Sequence, residues 1–175
     1  MPLYSFEGRS PEVHEDAFVA PTATLVGEVV VEAGASVWYN AVIRGDFAPV
    51  YVRAGANVQD GAILHSNPQQ ATEIGPGATV AHLCVVHSAV LEEEALLANG
   101  CTVLDGAVIG ARSLVAAHSL VASGARIPPG VLAAGSPAVV KRELPGSPAE
   151  QWVLMNPPVY QDLARRHAAG VEPAS

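Results

Sequence analysis

Residues 85–133 read VVHSAVLEEEALLANGCTVLDGAVIGARSLVAAHSLVASGARIPPGVLA. Within this stretch Val85, Leu91, Leu97, Val103, Ile109, Val115, Val121, Ile127 and Ala133 recur at every sixth position. Side chains repeat every 3.6 residues on a helix and every second residue on a strand, so neither element alone has this period. Upstream the same step runs through Val19, Leu25, Val31, Val37 and Ile43, resumes as Val52, Val58 and Leu64, and again as Ile74 and Val80. Small or turn-forming residues fall between the anchors, as in Val26-Gly27, Ala33-Gly34, Ala54-Gly55, Ile74-Gly75 and Ile109-Gly110. Such residues permit a corner at each repeat. A short strand, a corner and an inward aliphatic per repeat predict an all-β chain coiled into a prism, each coil stacking its hydrogen bonds on the last. Three hexapeptides per coil give a triangular cross-section. A β-sandwich would space its turn signals about 8 to 12 residues apart instead.

Composition agrees with such a core. Of 175 residues half are hydrophobic, yet only 5% are aromatic and 15% charged, so Val, Ile, Leu and Ala must fill the interior of a single domain. A formal net charge of -8, with no cluster of Lys and Arg, argues against a nucleic-acid partner. The chain opens without a basic region followed by an apolar one, and no run reaches the roughly 18 apolar residues of a membrane span. The expectation is a cytoplasmic protein with no membrane partner. In that compartment Cys84 and Cys101, in apolar surroundings, read as buried thiols rather than a disulfide.

The pattern divides the chain into an N-terminal segment (1–18), a β-helical prism (19–140) and a C-terminal helical appendage (141–175). Ser147-Pro148-Ala149-Glu150 is a capping box with Pro at the first helical position, so a helix should start there. Asn156-Pro157-Pro158 should interrupt it, because a proline ring clashes with the preceding turn. A second helical stretch should then end at Arg165, Arg166 and His167, before Gly170. Trp152, Leu154, Tyr160 and Leu163 are expected to pack on a prism face or a neighbouring subunit.

The repeat also sorts the six histidines. His65 directly follows the anchor Leu64, and the step from Leu64 to Ile74 is an ordinary repeat plus a four-residue polar loop within Ser66-Asn67-Pro68-Gln69-Gln70. Stepping from Ile74 to Val80 to Val86 places His87 directly after another anchor, so His65 and His87 should share one side of adjacent coils. Coils stack about 4.7 to 4.9 Å apart, close enough for two imidazoles to meet one metal at about 2.0 to 2.1 Å each. His82 falls about one side earlier. Either another subunit of a threefold assembly brings it to the pair, or the three histidines are unrelated. Three protein ligands with an open position are the catalytic zinc arrangement, whereas structural zinc is closed by four. His14 and His167 lie outside the prism and carry no motif, and His118 sits at a corner; these three read as structural or surface residues.

The run Arg44-Gly45-Asp46, then Asn57-Val58-Gln59-Asp60, then His65, then His82 and His87 resembles the signature of the γ-class carbonic anhydrase family of hexapeptide-repeat proteins. Ser36-Val37-Trp38-Tyr39, Leu104-Asp105-Gly106-Ala107 and Gly135-Ser136-Pro137 also look like that family, which extends the likeness over nearly the whole chain. The resemblance implies a left-handed β-helix, where general connection rules alone would have favoured a right-handed crossover. It further implies a homotrimer with Zn2+ held by His65, His82 and His87, although iron(II) or cobalt(II) also suits imidazole ligands. The implied reaction is reversible hydration of carbon dioxide to bicarbonate by a metal-bound hydroxide at the trimer interface. Gln59 resembles the family residue that hydrogen-bonds the metal-bound water or substrate. Arg44 and Asp46 correspond to an ion pair across the subunit boundary, with Asp60 as its partner.

The chain departs from the family at three places. Phe47-Ala48-Pro49 stands where some active members carry acidic residues thought to pass the proton to solvent, Asn99 where many have methionine, and Ser88 where many have glycine. Three other functions therefore stand beside carbon dioxide hydration. The first is a metal-dependent thioesterase acting on an acyl-coenzyme A; the second is a metal-free hexapeptide acyltransferase with a histidine base. The third is a non-catalytic assembly subunit.

Overall fold

A computed structural model describes residues 2–174. The chain forms a left-handed parallel β-helix of about seven turns with a single C-terminal helix. Most strands are only two or three residues long, and each pairs in parallel with the equivalent strand one coil away. Thr79–Val80, for example, lies between Asn57–Val58 and Leu96–Leu97. A short strand buries few groups of its own, so the stack of coils, rather than any one strand, satisfies the backbone.

The core is the expected column of small aliphatics. Leu25, Val31, Val37, Ile43, Val52, Val58, Leu64, Ile74, Val80, Leu91, Leu97, Val103, Ile109, Val115, Val121 and Ala133 are all buried. One anchor is corrected: Val86, not Val85, points inward, and Val85 stands partly exposed beside it. The step from Val86 to Leu91 is thus one residue short, because the chain cuts that corner through Ser88-Ala89. The corner below the candidate site is a hydrogen-bonded ladder, running Gly61 N to Tyr39 O, Leu83 N to Asp60 O, Gly100 N to His82 O and His118 N to Asn99 O.

Residues 3–13 are not a segment ahead of the prism. Leu3–Tyr4 and Glu12–Val13 both pair in parallel with Thr24–Val31, so they form its first coil. At the other end Val131–Gly135 turns back antiparallel on Ala138–Glu143. The helix then runs unbroken over Pro148–Gly170, with Ser147 as N-cap and Pro157 and Pro158 inside it. The expected interruption is absent because tertiary packing outweighs the lost backbone bonds: Pro157 is buried, and its ring lies over Gly77, where a Cβ would sit 3.8 Å away.

One prism edge carries three excursions. On the first coil, residues 5–10 bulge out and are closed by a bridge between Phe6 and Arg9. On the third, Val42–Val52 pairs with Thr24–Val31 as far as Gly27 with Gly45, and the register then resumes at Val29 with Val50, which throws out residues 46–49. Gly27, at φ 74°, is required here, since a Cβ on it would meet the Gly45 carbonyl oxygen at 2.5 Å. The loop 66–71 is the third excursion, closed by a bridge between Asn67 and Gln70.

Candidate metal centre

Arg44, His65 and His87 occupy one register position on three successive coils. His65 Nδ1 faces His87 Nε2 at 3.1 Å. On its other side His65 Nε2 bonds Asp46 Oδ1 at 2.9 Å, and the same carboxylate forms an ion pair with Arg44. His87 Nδ1 is held in turn by Asp105, whose second oxygen accepts from Asn67 Nδ2 at 2.9 Å. Burial opposes ionisation of Asp46, but its bonds to His65 and Arg44 and the Arg44 charge outweigh it and lower its pKa. Asp105 is also lowered, by its hydrogen bonds from His87 and Asn67. Both carboxylates thus stay ionised acceptors that fix the rings.

The remaining residues of the expected set gather at a different corner. His82 follows the strand Thr79–Val80, in the other sheet, and its Nδ1 lies 2.9 Å from Asp60 Oδ2. Its Nε2 faces the Tyr160 hydroxyl of the helix at 3.5 Å. Gln59, almost fully buried, donates from Nε2 to Asn57 Oδ1 at 2.9 Å, and Asn57 donates onward to Thr79. The chain therefore carries two separate clusters, one of Arg44, Asp46, His65 and His87 and one of Gln59, Asp60 and His82.

Arg44 and Asp46 pair within the one chain, because alternate residues of an extended strand share a face. Within the chain Asp60 meets His82, since the corner ladder stacks the two residues on adjacent coils. Asp105, Asn67 and Tyr160 were not among the expected site residues. Asp105 stands two positions after the anchor Val103, one coil beyond His87, which the repeat could have shown. Nothing in the repeat places Tyr160, because it arrives on a helix. Its hydroxyl pKa is raised by burial and by the Asp60 charge.

Nitrogens each about 2.0 to 2.1 Å from one tetrahedral zinc lie about 3.3 Å apart. The separation of His65 Nδ1 and His87 Nε2 is 3.1 Å, so this pair could hold one ion in place of the hydrogen bond it makes. Among the described residues no three His, Cys, Asp or Glu side chains converge on one point. His82 is thus a third ligand only if a second copy supplies it. Of the other histidines, His167 packs edge-on against Trp38 at 4.9 Å and bonds the Tyr39 hydroxyl at 3.0 Å. Cys84 and Cys101 are free and buried, and the Cys84 thiol is pushed up by its bond to Cys101 and by burial. Among the described residues no helix is long and apolar enough to cross a membrane.

Coils of this kind, with paired imidazoles on one ladder, define a hexapeptide-repeat β-helix protein, and comparison with known proteins narrows the class. No family model matches the chain. The carbonic anhydrase of Geobacillus kaustophilus is 44% identical over 142 residues, covering 81% of this chain and 78% of that protein. The carnitine operon protein CaiE of Escherichia coli is 39% identical over 166 residues, covering 95% and 84%. A solved structure described as a putative acetyltransferase of Bacillus cereus superposes with a TM-score of 0.93 at 35% identity, covering 95% of this chain and 96% of that one. The chain belongs to the γ-class carbonic anhydrase-like family of hexapeptide-repeat proteins.

Proposed function

We propose that the protein catalyses the reversible hydration of carbon dioxide to bicarbonate at a divalent metal, preferably zinc, held by His65 and His87 of one protomer and His82 of the next in a homotrimer. The observation that carries this is the division of the site: one ladder presents two imidazoles, and a different corner presents the third with Gln59. A cyclic assembly brings unlike surfaces of neighbouring copies together, which would unite the halves.

An exposed apolar strip beside the histidines supports such an assembly. Val42 and Ile63, register neighbours two residues before Arg44 and His65, are 37% and 46% exposed, and Leu83 next to His82 is 69% exposed. Exposed apolar residues grouped in this way mark a protein interface rather than a solvated face.

His65, His87 and a neighbour's His82 would hold the ion as neutral imidazoles, and when bound it would lower the pKa of a water toward about 7 and so make a nucleophile available. Asp46 and Asp105 keep His65 and His87 in the orientation that presents one ring nitrogen of each to the ion. Asp60 does the same for His82. Gln59, its amide oriented by Asn57, uses its free carbonyl oxygen to accept a hydrogen bond from the attacking water. Arg44 holds Asp46 ionised. Thioester hydrolysis is the second reading, favoured by the apolar Phe47 ring 5.9 Å from that of His65 and by the acetyltransferase description of a close structural neighbour.

The deciding measurement is metal content per trimer together with stopped-flow carbon dioxide hydration, before and after removal of metal by a chelator. Stoichiometric metal with activity lost on chelation and regained with zinc is expected. Acyl transfer undiminished by chelator, with no hydration, would leave the acyltransferase reading, and metal without hydration but with thioester cleavage would establish the second.

A further inference from the structure

Residues 46–49 are held on His65 by contacts from outside their own coil. The register of this strand skips from Gly45 to Val50, so the excursion makes no ladder pairing of its own. One end is tethered by Ser66 Oγ, which donates to Pro49 O at 3.1 Å. The other end is gripped by Arg9, which reaches across the flat Gly27 coil from the N-terminal turn. Arg9 Nη2 donates to Asp46 O at 3.3 Å and Nη1 to Phe47 O at 3.5 Å, while Nη1 also meets Glu28 Oε2 at 3.1 Å. Asp46 and Phe47 are the two loop residues that meet His65, through a carboxylate bond at 2.9 Å and a ring at 5.9 Å.

We propose that Arg9 is a positioning residue for the metal centre, fixing the Asp46 carboxylate and the Phe47 ring on His65 through the two carbonyls it grips. Its effect on metal rests on the function proposed above; the grip itself does not. A planar fork can donate in two directions at once, whereas a lysine ammonium acts as a point charge. The Arg9 and Glu28 side chains are each 39% exposed, and an ion pair so exposed contributes little to global stability. Loss of Arg9 should therefore loosen the loop without unfolding the prism.

The chain has three phenylalanines, at 6, 18 and 47, so uniform labelling with para-fluorophenylalanine gives three fluorine NMR signals, with Phe47→Leu identifying that of residue 47. In Arg9→Ala and in Arg9→Lys the Phe47 signal should move toward the free amino acid value while the Phe18 signal stays. Cobalt(II) affinity, measured by competition with a chromophoric chelator, should weaken several-fold in both variants, less than the roughly 10- to 100-fold typical of losing a ligand's direct hydrogen-bond partner. A stationary Phe47 signal, or Arg9→Lys indistinguishable from the parent, overturns the grip. A moved signal with unchanged cobalt affinity overturns the positioning role while leaving the metal reading intact. A parent protein that takes up no cobalt overturns the metal reading itself, and the positioning role with it.

Discussion

His65 and His87 sit at the same register position of adjacent coils with facing nitrogens 3.1 Å apart, and each ring is held on its far side by a different carboxylate. Asp46 arrives from a loop on the preceding coil and Asp105 from a corner on the following one. The two rings are thus oriented before any ion arrives, which lowers the ordering cost of binding one.

Asp105→Asn should reduce metal affinity by about 10- to 100-fold, as expected for a group that orients a ligand, while leaving the melting temperature nearly unchanged because the side chain is largely at the surface. Competition titration with a chromophoric chelator measures the first effect and thermal unfolding the second. Unaltered affinity would show that Asp105 does not set the His87 ring.

Homotrimers of His82→Ala and of His87→Ala should each be inactive. When they are dissociated and reassembled together, some interfaces will join an intact His82 to an intact His65 and His87 pair, and a fraction of activity should return. Verified subunit exchange with no recovery would argue that the site is not shared between protomers.

The loop Phe47-Ala48-Pro49 contains no group that titrates near neutral pH. If carbon dioxide is the substrate, the released proton must leave by way of solvent species, so turnover should climb with the concentration of a buffer such as imidazole at fixed pH and ionic strength. A rate indifferent to buffer would mean that another side chain exports the proton.

Leu64 is wholly buried directly before His65. Leu64→Ala should lower unfolding stability by about 2 to 5 kcal/mol through the cavity it leaves. Gly27→Ala should destabilise by at least about 1 to 2 kcal/mol, since an L side chain at positive φ is strained even before it meets the Gly45 carbonyl. Chemical denaturation of each variant tests both values.

Much of the fold was legible because a hexapeptide step is a local property: each anchor is buried by its neighbours one coil away, and the spacing survives wherever the chain keeps adding identical units. The pairing of His65 with His87 followed from counting those steps, and the register bears it out. Counting misled where a corner shortens, as at Val85 and Val86, and at the N-terminus, where residues 3–13 complete a coil without the full repeat.

What the sequence by itself determined is the prism, its aliphatic core and which histidines share a side, because periodic burial leaves a periodic record. The tertiary structure decided what departs from the repeat: a helix that stays intact through Pro157 and Pro158, with Pro157 buried against the prism, and a Tyr160 hydroxyl delivered to His82. It also decided the partners of Asp60, Asp105 and Arg9. These contacts join residues far apart in the chain through side-chain reach and loop shape, which no spacing encodes.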